Sequence, residues 1–275
     1  MSEGARWWVI EDRVGAARRV ALVYLLALTA AELLTTIVEP RLGLLLHGLL
    51  LLVLLLHTTM NWERAARPLL LSLAFAPLIR MLSLSLPLAG IPQVYWYLIT
   101  SIPLFVAVHT TMRTLWLGWR DVGVNLRAWA LQPLVAVVGL LLGYVEYRIL
   151  RPAPLAAAFT VQDLWLPALI LLVSTGFMEE LIFRGLMQYA AREALGGWHI
   201  AYVSAVFAVL HVGYKSLWDV IFVFAVAVLF GVVTERTESI LGVSLAHGLT
   251  NIVLFLVAPF WVQGSTQLGI GIGTF

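Results

Sequence analysis

The chain has 275 residues, of which 61% are hydrophobic and only 12% charged, and its mean hydropathy of +0.95 predicts an integral membrane protein rather than a soluble domain. Its net charge of +2 does not indicate a nucleic-acid partner, because basic residues of membrane proteins usually lie in loops and set orientation. The absence of cysteine excludes disulfides, thiolate zinc sites and cysteine nucleophiles.

The N-terminal segment 1–19 is charged and contains a tryptophan pair within "ARWWVIEDRVGAARRV". Such a sequence predicts an interfacial helix or a positive flank rather than a cleaved signal peptide. Nine apolar runs of roughly 20 residues follow, and each predicts a membrane-spanning helix. The predicted spans lie near residues 20–38, 42–59, 68–88, 94–112, 128–147, 163–190, 199–213, 216–233 and 239–260. The seventh is short, which leaves eight as the alternative count.

No polar interval between these runs is long enough to bury a core of its own. Residues 20–275 are therefore predicted to form a single transmembrane domain, an all-α polytopic helical bundle. With Arg80 and Arg184 left out because they fall inside spans, eleven arginines and lysines lie on the side of the N-terminus and four on the other. This bias predicts that the N-terminus is cytoplasmic. If the source is prokaryotic, the protein is expected in the inner membrane.

The stretch "STGFMEELIFRGLMQ", residues 174–188, places two glutamates and an arginine inside an apolar run. Each such side chain costs about 2.5 to 3.5 kcal/mol near the bilayer centre, so the cluster indicates a function. Residues four apart share a helix face, so Glu180 and Arg184 are predicted to pair, while Glu179 points about 100° away. Arg184 would then keep Glu180 ionised, and Glu179 would face other groups of the bundle.

Two further polar pairs have the same spacing of four. "FAVLH" places Phe207 and His211 on one helix face, and "HGLTN" does the same for His247 and Asn251. From the helical rise, Glu180, His211 and His247 are predicted to lie roughly 15 to 20 Å from the same membrane face. Three spans would therefore bring their polar groups to one depth.

These residue types are suited to hydrolysis without a covalent intermediate. A carboxylate and an imidazole can remove a proton from water. A second imidazole and a carboxamide can donate hydrogen bonds to the oxyanion that forms when water attacks a carbonyl. The sequence shows no serine or cysteine nucleophile beside a base.

At these positions the sequence resembles the intramembrane glutamic endopeptidases that include the CAAX prenyl endopeptidase and bacterial bacteriocin-immunity and processing relatives. The family pattern EExxxR is matched by Glu179, Glu180 and Arg184, FxxxH by Phe207 and His211, and HxxxN by His247 and Asn251. All three motifs occur in the family order. The resemblance covers about residues 163–260, whereas the first 150 residues match only as hydrophobic helices.

The resemblance implies a helical bundle around a membrane-embedded catalytic cavity open to the cytoplasm and to lipid, and a membrane-associated protein or peptide as substrate. It implies that Glu179 and His211 activate water, that His247 and Asn251 form the oxyanion site, and that Glu180 and Arg184 organise Glu179. We expect Phe207 to pack beside His211 and to shape the substrate cavity. Substrates of the family include prenylated CaaX peptides, cut after the modified cysteine. No cofactor is expected, and no oligomeric state follows.

Several alternatives stay open at this stage. Glu179, His211 and His247 are a conceivable zinc site, although the chain lacks HExxH. A proton-coupled carrier would use the same residue types, but it predicts related halves, which the sequence does not show. A catalytically inert immunity scaffold is a third reading.

Each charged or polar feature also has a purely structural reading. Glu180 and Arg184 could form a structural ion pair, and either histidine could be a core residue. The remaining intramembrane ionisable groups are expected to make hydrogen bonds within the bundle or to extend to the interface. These groups are Glu32, His47, His57, Arg80, His109 and Glu146. Arg80, well inside its span, is also considered as a ligand for a substrate carboxylate.

Overall fold

A computed structural model describes residues 3–60 and 66–267, with side chains over 15–60 and 66–262. The tryptophan pair of the predicted interfacial segment 1–19 lies outside the described side chains. All regular elements within the described ranges are helical, which confirms the predicted all-α class. The α-helices are α1 (Glu3–Leu33), α2 (Pro40–Thr59), α3 (Ala66–Leu73), α4 (Phe75–Ser85), α5 (Gln93–Thr114), α6 (Gln132–Leu150), α7 (Val161–Ile170), α8 (Met178–Glu180), α9 (Gln188–Leu195), α10 (His199–Val209), α11 (Leu217–Thr237), α12 (Leu241–Ile252) and α13 (Ala258–Gln267).

Short π-helical and 3-10 segments join several of these helices into longer runs. The π-helical segments are Leu34–Val38, Leu171–Phe177, Leu181–Met187 and Val253–Val257, and the 3-10 segments are Gly196–Trp198 and Val212–Tyr214. Of the residues described, eight such runs are long and apolar enough to cross a membrane. They are Gly15–Val38, Pro40–Thr59, Ala66–Ser85, Gln93–Thr114, Gln132–Leu150, Val161–Tyr214, Leu217–Thr237 and Leu241–Val262.

The run Val161–Tyr214 has 54 residues and corresponds to two of the predicted spans, 163–190 and 199–213. A straight helix of that length would extend about 80 Å, far beyond the roughly 30 Å bilayer core. The chain instead turns at Gly196, whose φ of +58° suits glycine. Phe183 and Phe207, about equally far from this turn in sequence, have ring centroids 4.8 Å apart. The run therefore folds back on itself as an antiparallel helical hairpin.

Successive helical runs alternate in direction, so their loops divide between two faces of the bundle. On the face where α1 begins, Arg18 Nε donates to the Leu195 carbonyl at 3.2 Å, and Asn125 Nδ2 donates to the Glu238 carbonyl at 2.8 Å. We call this the N-terminal face. The opposite face carries the loops 86–92, 151–160 and 215–216.

Helix α12 packs against the π-helical segment Leu171–Phe177 with almost no space between the two backbones. A Cβ atom on Gly176 would lie 2.6 Å from the Gly248 nitrogen, and one on Gly248 would lie 2.9 Å from Leu172 Cα. Both distances are shorter than a carbon atom tolerates, so only glycine permits this approach. Small residues commonly allow such close contact between helices in membranes. The contact brings the helix that carries His247 against the run that carries the two glutamates.

Candidate active site

The two glutamates occupy a single α-helical turn, α8, between two π-helical segments, Leu171–Phe177 and Leu181–Met187. The wider i→i+5 hydrogen-bonding pattern is rare and occurs frequently at functional sites. The two carboxylates have different surroundings, as the sequence predicts. The Glu180 side chain is fully buried, whereas that of Glu179 is 30% exposed.

Glu180 is the centre of a buried hydrogen-bond network. Its Oε1 atom accepts from Arg184 Nη1 at 3.1 Å, which confirms the predicted pair. The same oxygen accepts from His247 Nδ1 at 2.8 Å. An ionised carboxylate only accepts hydrogen bonds, so His247 carries its hydrogen on Nδ1 and presents Nε2 elsewhere. The contact between Glu180 and His247 is not among the sequence predictions.

Phe207 packs among the charged and polar groups of the site. Its ring lies 4.4 Å from the Arg184 guanidinium carbon, a cation–π contact, and 4.7 Å and 6.0 Å from the rings of His211 and His247. Phe207 is only 5% exposed. Phe207 thus contacts the arginine and both imidazoles and also lines the cavity, as expected for a residue that shapes it.

His211 lies just beyond α10, which ends at Val209, in a turn that leads into Val212–Tyr214. Its contact with Phe207 confirms that the two residues share a face. His211 Nδ1 lies 2.9 Å from the Phe207 carbonyl oxygen. Because a carbonyl only accepts, Nδ1 carries the hydrogen, and the lone pair of the neutral ring is on Nε2.

Glu179 faces the second imidazole nitrogen of His247, with Oε2 3.9 Å from Nε2. The partner expected for Glu179 from the resemblance is His211. The structure places Glu179 and His211 in the wall of the same cavity, but the close contact that it gives Glu179 is with His247. Glu179 is thus the less constrained of the two carboxylates.

Asn251 is oriented by a neighbour on the helix that carries the glutamates. Its Nδ2 donates to Thr175 Oγ1 at 2.9 Å, and the Thr175 hydroxyl donates in turn to the Leu171 carbonyl. A carboxamide nitrogen carries two hydrogens, so one N–H of Asn251 is left for another acceptor. Asn251 therefore offers the cavity a donor with a fixed direction.

All seven residues singled out from the sequence line one cavity of about 70 Å³. They are Glu179, Glu180, Arg184, Phe207, His211, His247 and Asn251. One water needs roughly 10 to 15 Å³ of such space, so the cavity has room for several. The three motifs thus converge on a single site that water can occupy, which is the arrangement that a hydrolytic role requires.

Three further ionisable residues in the cavity wall are absent from the predicted site. Tyr97 comes from α5, Glu146 from α6, and Tyr214 from the end of the hairpin. The sequence predicts that Glu146 makes hydrogen bonds within the bundle or extends to the interface, since one glutamate in an apolar helix does not reveal which neighbour it faces. Nothing in the sequence marks the two tyrosines as site residues, because tyrosine is common near the ends of membrane helices.

The cavity extends toward the opposite face of the bundle, away from the N-terminus. Tyr97 is four residues after the start of α5 at Gln93, and Glu146 is four residues before the end of α6 at Leu150. Both of these helix ends lie at the opposite face. If the N-terminus is cytoplasmic, these two residues lie toward the outer side of the membrane, and not toward the cytoplasm as expected from the resemblance.

Several of the remaining intramembrane ionisable residues contact one another or a tyrosine within the bundle. Arg80 Nε lies 2.8 Å from Glu32 Oε1, and His47 Nε2 lies 3.5 Å from the same oxygen. His57 Nδ1 lies 2.8 Å from the Tyr24 hydroxyl. The role considered for Arg80, as a ligand for a substrate carboxylate, is not supported, because its guanidinium is engaged by the protein.

Histidine, aspartate and glutamate side chains form no group of three or more that could hold a metal ion, as far as the described part of the chain extends.

Residues 161–253 match the family model described as Type II CAAX prenyl endopeptidase Rce1-like. The matched segment contains all three motifs and corresponds to the predicted family-like core, 163–260, so it confirms the resemblance. Neither the curated proteins nor the solved structures give a match to the chain.

Proposed function

We propose, from the match of residues 161–253 to the Rce1-like model of type II CAAX prenyl endopeptidases, that the protein hydrolyses a peptide bond in a membrane-associated substrate by means of a glutamate- and histidine-activated water. The observation that carries the proposal is the convergence of Glu179, His211, His247 and Asn251 on one cavity large enough for water. The family match by itself supports an intramembrane endopeptidase in general.

Glu179 and His211 are the groups we assign to activation of the water. Glu179 is the exposed carboxylate, free of the ion pair that holds Glu180. His211 presents an Nε2 lone pair, because its Nδ1 hydrogen is bound to the Phe207 carbonyl. A positioned general base contributes about 10² to 10⁴ in rate.

His247 and Asn251 are the groups we assign to the oxyanion. Asn251 offers the N–H that Thr175 leaves free. The Nδ1 hydrogen of His247 is committed to Glu180, so His247 donates to an oxyanion only when Nε2 also carries a proton. Glu179 Oε2, 3.9 Å from Nε2, is the nearest group given by the structure that can exchange this proton. In this scheme Glu180 and Arg184 act by orienting His247.

We assign the N-terminal face to the cytoplasm, because the sequence assigns eleven arginines and lysines to the side of the N-terminus and four to the other side. The cavity then lies toward the outer side, which reverses the orientation expected from the family. In a prokaryote the enzyme would lie in the inner membrane and act on a substrate segment on the outer side. A prenylated CaaX substrate, which is cytoplasmic, fits this orientation poorly.

The test is hydrolysis of a quenched peptide with a hydrophobic C-terminal segment by the purified protein. We expect slow cleavage by the wild type and its loss in Glu179→Gln and His211→Ala. Glu193→Gln is the matched control, because Glu193 is an exposed glutamate on α9 outside the cavity. Full activity in Glu179→Gln would remove that residue from the role of base.

Two further measurements separate the alternatives. Activity that survives exhaustive chelation supports the metal-free mechanism, whereas loss on chelation and recovery with zinc would support a metalloenzyme. Ion flux in liposomes without cleavage would favour a carrier, and neither flux nor cleavage would favour a scaffold.

A further inference from the structure

The turn that carries His211 is held by residues from outside the segment that matches the family. Glu32 on α1 and His47 on α2 are fully buried, and Arg80 on α4 is 17% exposed. Arg80 Nε donates to Glu32 Oε1 at 2.8 Å, and His47 Nε2 lies 3.5 Å from the same oxygen without a hydrogen bond to it. This cluster joins three N-terminal helices at the level of the catalytic hairpin.

Arg80 extends from this cluster to the main chain beside His211. Its Nη2 atom donates to the Leu210 carbonyl at 2.6 Å. The last carbonyls of a helix lack partners within the helix, and Leu210 follows the end of α10 at Val209. Arg80 thus supplies a charged donor to the peptide that links Leu210 to His211.

We propose that Arg80, held in place by Glu32, is a positioning residue for His211. It fixes the peptide plane that precedes His211, so that the imidazole keeps its hydrogen bond to Phe207 and directs Nε2 into the cavity. This inference rests on the proposed function, since it assumes that His211 takes part in the reaction. It makes α1 and α4, for which the sequence shows no family motif, a part of the catalytic apparatus.

A planar guanidinium is needed for this role. Arginine donates in two directions from one rigid group, here to a carboxylate and to a carbonyl, whereas lysine is a point charge. In Arg80→Lys we expect kcat to fall roughly tenfold to a hundredfold, because a misplacement of about 1 Å is that costly in catalysis. KM should stay within about twofold, because Arg80 does not line the cavity.

A variant without either charge separates positioning from folding. Glu32→Gln/Arg80→Met leaves no unpaired buried charge and so should fold, yet it no longer holds the Leu210 carbonyl. We expect its kcat to fall as in Arg80→Lys. Arg148→Ala is the matched control, because Arg148 lies on α6 near the same face and contacts Tyr144 outside the cavity. Its kcat should equal that of the wild type.

Chemical rescue is the decisive experiment. Millimolar guanidinium should restore kcat in Arg80→Ala and should have no effect on His211→Ala. A wild-type kcat in the folded double variant, or a change confined to KM, would overturn the positioning role. Absence of hydrolysis by the wild type would instead overturn the proposed function, so the two failures are distinguishable.

Discussion

His247 Nδ1 lies 2.8 Å from Glu180 Oε1, and through this contact the third sequence motif is oriented by the first. The same oxygen is 3.1 Å from Arg184 Nη1. One buried atom therefore connects the arginine to the imidazole that faces Glu179. Glu180, Arg184 and His247, to which the resemblance gives two different tasks, form a single structural unit.

Replacement of Glu180 by glutamine should destabilise the protein more than the same change at Glu179. Glu180→Gln leaves the buried Arg184 without its counter-charge, and removal of one partner of a buried ion pair costs about 3 to 5 kcal/mol. Thermal unfolding in detergent measures the difference. Glu180→Gln/Arg184→Met should regain much of the stability but not the activity. Equal unfolding temperatures for the two single variants would contradict this account.

Asn251→Ala should lower kcat by about 10² to 10³, the usual effect of losing one oxyanion donor, with little change in KM. Thr175→Val keeps the shape of Thr175 but removes the acceptor that orients Asn251, so we expect a smaller loss in kcat. Thr175→Ser keeps the hydroxyl and is the control. Steady-state kinetics with the quenched peptide measure kcat and KM of all three variants. If Thr175→Ser were as impaired as Thr175→Val, the Thr175 hydroxyl would not be what orients Asn251.

Gly176→Ala should impair both stability and activity although it adds a single methyl group. The new Cβ atom would lie 2.6 Å from the Gly248 nitrogen, so α12 has to move away from the run that carries the glutamates. His247 is adjacent to Gly248, and its contact with Glu180 would lengthen. Overpacking of this kind costs typically about 1 to 3 kcal/mol. Gly197→Ala is the control, because open space surrounds Gly197. A Gly176→Ala variant with the stability and activity of the wild type would show that the two helices can separate without loss.

The orientation of the bundle can be measured by cysteine labelling, which has no background because the chain lacks cysteine. Gly90 and Gly197 are both exposed and surrounded by open space, and they lie at the opposite face and at the N-terminal face, respectively. In intact cells a membrane-impermeant maleimide should label Gly90→Cys and should label Gly197→Cys only after the membrane is disrupted. The reverse pattern would place the cavity toward the cytoplasm.

The spans and the pairing of Glu180 with Arg184 could be predicted because they depend on local periodicity and helical spacing alone. The predicted helix ends were less accurate where a proline or a left-handed backbone conformation interrupts the helix. The predicted third span, 68–88, is interrupted at Ala74, and Pro77 lies four residues after Leu73, where it cannot donate the main-chain hydrogen bond that a continuous helix needs. The predicted fifth span starts at 128, where Ala128 has a φ of +47°, and the helix begins only at Gln132.

The site itself was predicted as a set of residues but not as a network. Spacing within a motif indicates which residues share a face, as for Phe207 and His211. It contains no information on which faces of different helices meet. The contact of Glu180 with His247 depends on the approach of α12 to the π-helical segment, and the place of Glu146 in the cavity wall depends on the rotation of α6. Both are outcomes of packing over long sequence separations.

The contact between Gly176 and Gly248 has a consequence for how such an enzyme could diversify. Beside the site, two backbones are already at their minimum separation, so a side chain cannot be added there without moving α12. The rim, by which we mean Tyr97, Glu146 and Tyr214 in the cavity wall, is different, because these residues come from three separate elements and none of them lies in the glycine contact. Selectivity toward new peptides should therefore evolve, or be engineered, at the rim, while the reaction beneath it stays the same.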